Sequence, residues 1–175
     1  MAWIKHRNQD GQTQKGLPRL AARRDCTGCS ACFAACPRNA IAMKADDEGF
    51  LRPVINAAQC LRCGACSRVC PVLAPGTPSP APTCFAARSK DLDLRLASSS
   101  GGLFTALART ILNEGGLVFG VVLEKPALTA IHAAAETEDA LAAMRGSKYV
   151  QSDPRHTFRQ VRDALRAGRR VLYSG

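Results

Sequence analysis

Eight of the nine cysteines in this 175-residue sequence fall in two runs with the same spacing. The first run is Cys26-Thr-Gly-Cys29-Ser-Ala-Cys32-Phe-Ala-Ala-Cys36-Pro37, and the second is Cys60-Leu-Arg-Cys63-Gly-Ala-Cys66-Ser-Arg-Val-Cys70-Pro71. Three cysteines at three-residue spacing can wrap a short loop around one face of an iron–sulfur cubane and bind three of its irons. The fourth iron needs a more distant ligand. The repeat therefore predicts two [4Fe-4S] clusters.

The cysteine before each proline is the candidate for that fourth ligand. In two-cluster ferredoxins it binds the cluster of the other run, so we expect the two runs to exchange their last cysteines. The proline that follows turns the chain away with its φ angle already fixed. We assign one cluster to Cys26, Cys29, Cys32 and Cys70, and the other to Cys60, Cys63, Cys66 and Cys36.

Two other uses of eight cysteines fit the sequence less well. A disulfide framework needs an oxidising compartment, and residues 1–7 contain no apolar run of signal-peptide length. A zinc site usually takes two C-x-x-C pairs separated by a long spacer. No segment approaches the roughly eighteen apolar residues of a membrane span. We therefore expect a soluble protein in a reducing cytoplasm.

The formal net charge of +10 raises the question of nucleic-acid binding. No basic face with interleaved aromatic residues is present, and cluster-bound thiolates would offset part of the charge. We interpret the excess as a solvated surface or as a patch for an acidic redox partner, and we predict no nucleic-acid partner. Residues 1–25, which carry four of the net positive charges, are predicted to form a basic disordered arm.

The rest of the chain divides by composition. Residues 26–73 form the two-cluster domain, with strands at 40–44 and 50–55 joined by an acidic turn. Residues 74–83 hold four prolines, which predicts a semi-rigid linker. Residues 84–175 then alternate strands and helices, which favours an α/β unit and an α+β fold overall.

The alternating pattern predicts specific elements in this last segment. A charged connection is expected at 90–97, and residues 147–152 are open between a strand and an ordered loop. Cys84 is interpreted as a buried strand thiol. The predicted strands are 84–88, 117–123, 130–134 and 170–175, and the predicted helices are 103–112, started by hydroxyl caps, 137–144 and 153–168.

Two polar stretches are candidate binding sites. Residues 98–102, Ser-Ser-Ser-Gly-Gly, precede a predicted helix, where free N–H groups and the positive helix end can bind an anion. Residues 145–153, Arg-Gly-Ser-Lys-Tyr-Val-Gln-Ser-Asp, gather a cation, a phenol, an amide and two hydroxyls. A helix start without a ligand and a polar edge strand remain the alternatives.

The order of these motifs resembles one known family. Two ferredoxin runs, a Pro-rich link, Ser-Ser-Ser-Gly-Gly-Leu-Phe-Thr-Ala-Leu, Gly-Gly-Leu-Val-Phe-Gly, Arg-Gly-Ser-Lys-Tyr-Val-Gln-Ser-Asp and Arg-Arg-Val-Leu-Tyr-Ser-Gly are similar to the beta subunits of coenzyme F420 hydrogenases and dehydrogenases. The resemblance covers about residues 20–175. Family members continue past this last motif, so we expect a truncated version that holds the N-terminal part of an α/β flavin domain.

The resemblance implies an iron–sulfur flavoprotein oxidoreductase. FAD would exchange a hydride with coenzyme F420 or another organic acceptor, and the clusters would pass electrons between a partner protein and the flavin. The alternative is a ferredoxin-type electron carrier with a partner-docking module and no catalysis. The resemblance places the following residues at the flavin or substrate site: Ser98, Ser99, Ser100, Gly101, Gly102, Lys148, Tyr149, Gln151 and Ser152.

Overall fold

The computed structural model describes residues 16–77 and 81–175. Residues 1–15 of the predicted arm lie outside the described residues, as do the linker prolines at 78 and 80. Contacts divide the chain into two units, Met1–Pro80 and Ala81–Gly175, and each unit is treated by itself.

The first unit is built on a β-hairpin between the two cysteine runs. Strands β1 (Ile41–Ala45) and β2 (Leu51–Ile55) pair antiparallel, with Ile41 opposite Ile55. The carboxylate of Asp46 fixes the turn, since its Oδ1 accepts hydrogen bonds from the backbone N–H groups of Glu48 and Phe50 at 3.1 and 3.0 Å. The predicted hairpin is confirmed, with each strand starting one residue later than expected.

Two short helices pack against each other in this unit. Helix α1 (Ala31–Ala35) carries Cys32 from the first run, and helix α2 (Ala65–Arg68) carries Cys66 from the second run. Each helix begins directly after a residue in the left-handed conformation. The hairpin therefore returns the second run beside the first.

Residues 16–25 differ from the predicted disordered arm. Pro18 contacts the cavity that the second cysteine run lines, and Leu20 and Ala21 contact the cavity of the first run. The hydroxyl of Ser67 in α2 donates to the backbone carbonyl of Arg19. This segment covers the cysteine loops because its Leu and Pro side chains bury apolar surface there, a contact that its polar composition did not predict.

The second unit contains a three-stranded mixed sheet. Strand β3 (Leu117–Glu124) is central, β4 (Thr129–Ala135) pairs with it antiparallel, and β5 (Val171–Tyr173) pairs with it parallel. The helices of this unit are α3 (Leu92–Leu96), α4 (Leu103–Asn113), α5 (Glu138–Ala142) and α6 (Thr157–Arg166).

Strand β3 is buried on both faces. Val118 packs with Ala108 of α4 and Leu141 of α5, whereas Leu117 and Phe119 pack with α6. Since successive side chains of a strand point to opposite faces, an almost fully apolar strand needs a helical layer on each side. The α/β layering predicted from the sequence is therefore confirmed for the strands and helices from residue 103 onwards, with shifts of a few residues at their ends.

Four local predictions were wrong: the strand at 84–88, the buried Cys84 thiol, the connection at 90–97 and the hydroxyl caps of the helix at 103–112. Residues 84–88 form no ladder, and the Cys84 and Phe85 side chains are exposed, because no strand lies beside them to pair with. Residues 92–96 form helix α3 instead of a connection, with the Asp91 carboxylate accepting from the Leu94 N–H at 3.0 Å. Helix α4 begins after left-handed Gly102 and has no hydroxyl cap. Residues 147–152 are a loop.

Among the described residues, no helix is long and apolar enough to cross a membrane.

Candidate functional site

The first unit contains two cavities that are each lined by four cysteines. One is lined by Cys26, Cys29, Cys32 and Cys70, together with apolar side chains that include Leu20 and Met43. The other is lined by Cys36, Cys60, Cys63 and Cys66, together with Ile41 and Ile55 of the hairpin. Each cavity thus combines three cysteines of one run with the last cysteine of the other, which is the grouping assigned from the spacing.

We call Cys26–Cys36 the first loop and Cys60–Cys70 the second loop. Their cysteines do not converge on a single ion: within the described parts of the chain, no three His, Cys, Asp or Glu side chains are close enough to hold one metal. A mononuclear zinc site requires all its sulfurs about 2.3 Å from one ion. Cluster ligands bind four different irons, so spread sulfurs around a cavity fit a cluster better than zinc.

The thiols at these cavities are in surroundings that disfavour the free thiolate. Burial raises the pKa of Cys32 to about 12, with the neighbouring thiols of Cys29 and Cys26 adding to the rise. Burial also raises the pKa of Cys66. A bound iron–sulfur core supplies the positive charge that such thiolates need, so its binding would release their protons.

Cys36 and Cys60 each accept a hydrogen bond from the backbone. The N–H of Ala40 donates to Sγ of Cys36 at 3.3 Å, and the N–H of Arg62 donates to Sγ of Cys60 at 3.4 Å. Hydrogen bonds to cluster sulfurs are one of the means by which a protein sets the reduction potential of a cluster. Both donors act on cysteines of the second cavity.

The two loops have a left-handed backbone at the same two positions, but the glycine occupies the first of these positions in one loop and the second in the other. At the second residue after the first cysteine, Gly28 has φ 68° in the first loop and Arg62 has φ 56° in the second. At the residue before the helix, Ser30 has φ 61° and Gly64 has φ 71°. Both positions require the left-handed conformation, which only glycine adopts without cost. Each loop therefore retains one strained non-glycine residue.

A network of charges surrounds the first loop. The Arg52 guanidinium donates to the Cys26 carbonyl, and its Nε lies 3.0 Å from Oδ2 of Asp46. Arg23 reaches the same carboxylate oxygen at 3.3 Å. The Asp46 side chain is only 3% exposed, and its hydrogen bond from Arg52 lowers its pKa below the usual range. The cations near this loop are thus paired with carboxylates.

The second loop is flanked by arginines instead. Arg38 lines the cavity of this loop, and Arg62 belongs to the loop itself. Nη1 of Arg68 donates to the Cys63 carbonyl at 2.8 Å. All three arginines are exposed. Among the described residues, no carboxylate forms an ion pair with any of the three arginines. The reason is their placement, since every carboxylate of residues 16–77 lies either beside Cys26 or in the hairpin turn.

The second unit has a larger cavity of about 460 Å³. It lies between the start of α4, the loop after α5 and the end of β5. Its volume falls within the usual range of small-molecule and cofactor sites. The residues that line it are Ala87, Ser98, Ser99, Ser100, Gly101, Gly102, Leu103, Phe104, Thr105, Gly120, Val121, Met144, Arg145, Gly146, Ser147, Lys148, Tyr149, Ser174 and Gly175.

Seven of the nine residues singled out in the sequence line this cavity. The two that do not are Gln151 and Ser152. The Ser152 hydroxyl instead lies 3.0 Å from Nδ1 of His132 in β4. These two residues follow the point where the loop turns away from the cavity to meet β4, where Asp153 forms an isolated parallel bridge with Ile131.

The serine-glycine segment has structural roles of its own. The Ser98 hydroxyl donates to the Leu94 carbonyl at 2.7 Å, which satisfies the end of α3. A Cβ on Gly101 would lie 2.8 Å from the Ala87 carbonyl oxygen, and Gly102 has φ 77°. The two glycines are therefore required by packing and by the left-handed helix start, whether or not a ligand binds. Ser99 and Ser147 both line the cavity, and their hydroxyl oxygens are 3.2 Å apart, within hydrogen-bond distance of each other.

Two cations lie at the cavity. The Lys148 ammonium donates to the carbonyls of Met144 and Arg145 at 3.0 and 2.8 Å, and burial lowers its pKa. Nη2 of Arg145 lies 2.8 Å from Glu138, while its buried Nε has no hydrogen-bond partner among the described residues. Tyr149 is 94% exposed.

The nine residues singled out in the sequence leave out several residues of this cavity. Arg145 opens the motif that contains Lys148, so its charge was the available signal. Gly120 interrupts the apolar strand β3, and a Cβ there would lie 2.8 Å from Sδ of Met144. Ser174 and Gly175 follow β5, at the strand end where ligands of α/β sheets bind.

Comparison with known proteins assigns both units. Residues 25–74 match the 4Fe-4S dicluster domain, and residues 84–156 match the N-terminal domain of the coenzyme F420 hydrogenase/dehydrogenase beta subunit. No curated protein matches the chain. The two matches describe an iron–sulfur electron-transfer protein of an oxidoreductase family. Over residues 84–156 the chain is similar to the coenzyme F420 hydrogenase/dehydrogenase beta subunit family.

Proposed function

We propose that this chain is an iron–sulfur flavoprotein oxidoreductase subunit. Two [4Fe-4S] clusters in the cysteine-lined cavities would relay electrons between a partner protein and FAD bound in the cavity of the second unit. Coenzyme F420 or a similar organic compound would be the hydride partner. The observation that supports the relay most directly is the grouping of three cysteines from one run with the last cysteine of the other in each cavity.

The chain's own residues would hold the clusters in two ways. The eight cysteines would supply the thiolates, in the sets assigned above. The N–H groups of Ala40 and Arg62 would donate to the sulfurs of Cys36 and Cys60, and so would stabilise negative charge on the second cluster. Apolar side chains such as Met43 and Ile41 would keep water away from the cores.

The 460 Å³ cavity supports the flavin part of the proposal. Arg145 and Lys148 at this cavity would balance the negative charge of a dinucleotide, and Ser99 and Ser147 would donate hydrogen bonds to it. The start of the 11-residue helix α4 points free N–H groups to the same side. A bound flavin can exchange a hydride with an organic compound and single electrons with iron–sulfur clusters.

The nine residues named from the sequence remain the proposed flavin or substrate contacts. Gln151 and Ser152 would act from outside the cavity lining, since Ser152 bonds to His132. A beta subunit implies partner chains, and we propose a redox subunit or protein as the electron partner. Because cluster thiolates require reducing conditions, we also propose a cytoplasmic setting.

The first experiment measures iron, sulfide and released flavin on full-length protein purified without oxygen. The variant Ser147→Trp places a large side chain at the mouth of the cavity, and Ala143→Trp is the control, since Ala143 is exposed and does not line the cavity. We expect about eight irons in all three proteins. Flavin should be lost only in Ser147→Trp, and flavin retained there would contradict this binding site.

The second candidate function is a ferredoxin-type electron carrier with a partner-docking module and no catalysis. Packing against Ala87 and the left-handed helix start account for Gly101 and Gly102 without a ligand, which favours a docking module. About eight irons with no flavin in the wild-type chain would support this candidate. Fewer than about four irons on folded protein would contradict both candidates, because neither functions without the clusters.

A further inference from the structure

The second loop is the more open of the two. Cys63 is exposed, whereas the other seven cysteines of the two runs are buried or partly buried. The neighbouring Leu61 side chain is 63% exposed. Isolated apolar side chains are common on protein surfaces, but this one borders the cavity that Cys63 lines. A cluster held by this loop would therefore come close to the protein surface.

The charge around this opening has one sign. Arg38, Arg62 and Arg68 are exposed there without a carboxylate partner among the described residues. Around the first loop, by contrast, Arg23 and Arg52 share Asp46, and Arg24 lies 3.6 Å from Asp25. Exposed guanidinium groups without a carboxylate partner can steer an acidic protein to one face by charge attraction.

Arg62 occupies its position at a cost. It has φ 56°, at the position where the first loop has Gly28. The left-handed conformation is strained for a non-glycine residue. Strain of this kind often persists at functional sites, where the side chain is needed. The guanidinium group of Arg62 lies over residue 16, with its Nη1 3.4 Å from the position of a Cβ on Gly16.

We propose that Arg38, Leu61, Arg62, Cys63 and Arg68 form a docking face for an acidic electron-transfer protein. The proposal rests on the proposed cluster at Cys36, Cys60, Cys63 and Cys66. In the reducing direction, the centre of the acidic protein is oxidised by one electron and the cluster of the second loop is reduced by that electron. No bond forms or breaks, and no proton is transferred. The three guanidinium groups bring the two centres together, and Leu61 makes the apolar contact at the middle.

The test uses the cluster-loaded full chain and an acidic probe, reduced plant-type [2Fe-2S] ferredoxin. The charge-reversal variant is Arg38→Glu/Arg62→Glu/Arg68→Glu. The control is Lys90→Glu/Lys125→Glu/Arg166→Glu, which changes the net charge equally at exposed sites of the second unit. Stopped-flow absorbance gives the second-order rate constant of electron transfer. We expect the loop variant to be at least about tenfold slower at low ionic strength and the control to be within about threefold of wild type.

A basic probe makes the test reciprocal. Oxidised cytochrome c should accept electrons from the reduced loop variant faster than from wild type. The glutamates of the variant attract this basic protein, whereas the arginines of the wild type repel it. The difference between loop variant and wild type should shrink for both probes above about 0.3 M salt, where surface charges are screened. Equal rates for the loop variant and the control with the acidic probe would overturn the proposal.

Iron content separates this proposal from the one on which it rests. Wild-type protein with far fewer than about eight irons contradicts the clusters themselves, whereas eight irons with no charge effect contradicts only the docking face. If the Glu variant loses iron, the variant Arg38→Gln/Arg62→Gln/Arg68→Gln takes its place in the rate measurement, and a smaller decrease in rate is expected.

Two single variants exclude a purely structural role for Arg62. Arg62→Lys should retain the wild-type rate, and Arg62→Gly should lower the rate about twofold while raising the temperature of unfolding.

Discussion

The first and second loops have the same cysteine spacing and the same two left-handed positions, yet they differ in what surrounds them. The first loop is tied through Arg52 and Asp46 to the hairpin, and its cations are paired. The second loop is open at Cys63 and carries unpaired arginines. The comparison teaches that ligand spacing sets which cofactor a loop can bind, whereas the residues between and beyond the ligands set its exposure and charge.

The largest effect should come from breaking the exchange of the last cysteines. Cys36→Ala should remove one cluster, about four irons, and adding Cys60→Ala should remove no more, because both residues would serve the same cluster. Adding Cys26→Ala to Cys36→Ala should instead leave almost no iron. Iron and sulfide analysis of the anaerobically purified variants measures this. The reverse pattern would mean that each run binds its own cluster alone.

The next effect concerns the cluster potentials. Arg52→Gln removes a positive charge beside Cys26, so the potential of the first-loop cluster should fall by about 50 mV, given the size of charge interactions near a protein surface. Lys44→Gln is the matched control, since Lys44 lies opposite Arg52 in the hairpin and is exposed. Redox titrations followed by electron paramagnetic resonance give both potentials. Equal shifts of the two clusters in Arg52→Gln would contradict a local effect.

A smaller effect should depend on pH. Arg52 lowers the pKa of Asp46, so this carboxylate stabilises the folded chain above its unfolded pKa of about 4, and the stabilisation is lost as pH falls through its lower folded pKa. Asp46→Asn should therefore lose cluster absorbance at a lower temperature than wild type at pH 7. The two proteins should converge at the acid end of the pH range. A gap that stays constant down to pH 3 would mean that the charge of Asp46 is not responsible.

The smallest effect should come from the exchanged glycines. Ser30→Gly relieves the left-handed strain of the first loop and should raise the free energy of unfolding by up to about 1 kcal/mol. Its hydroxyl contact is weak, at 3.5 Å from the Gly28 carbonyl. Ala31→Gly, one residue later in α1, should instead lower stability by about 0.5–1 kcal/mol. Urea unfolding of the cluster-loaded chain compares them, and a loss in Ser30→Gly would show that the hydroxyl outweighs the strain.

Predictions from the sequence succeeded where a periodic pattern had one physical outcome. The hairpin, β3 and α5 lie where the sequence predicted strands at 40–44, 50–55 and 117–123 and a helix at 137–144. They failed where a segment needed a partner that the sequence does not announce. Residues 84–88 have the composition of a strand, but no edge is beside them. The Asp91 cap was available to predict α3, yet the charged residues around it were read as a connection.

The cavity of the second unit was found only in part for the same reason. The motif that contains Lys148 pointed to it, but alternation could not show that the chain leaves the cavity after Tyr149 and meets β4 at Asp153. The sequence shows that Arg145 carries a positive charge. Its position at the cavity depends on the turn after α5, which the sequence did not predict. Gly101 and Gly102 looked like a ligand-binding feature, and their packing against Ala87 and α3 became evident only in the fold.

The sequence by itself determined the cofactor chemistry of the first unit, because cysteine spacing along a loop is a local property that limits which metal centre can bind. It also carried the motifs by which the chain resembles the coenzyme F420 hydrogenase/dehydrogenase beta subunit family. Only the tertiary structure decided which loop is open, which arginines are paired and which polar residues share a cavity. Those properties depend on contacts between residues far apart in the chain, such as Arg52 with Cys26 and Ser99 with Ser147. No local pattern of residues encodes such distances.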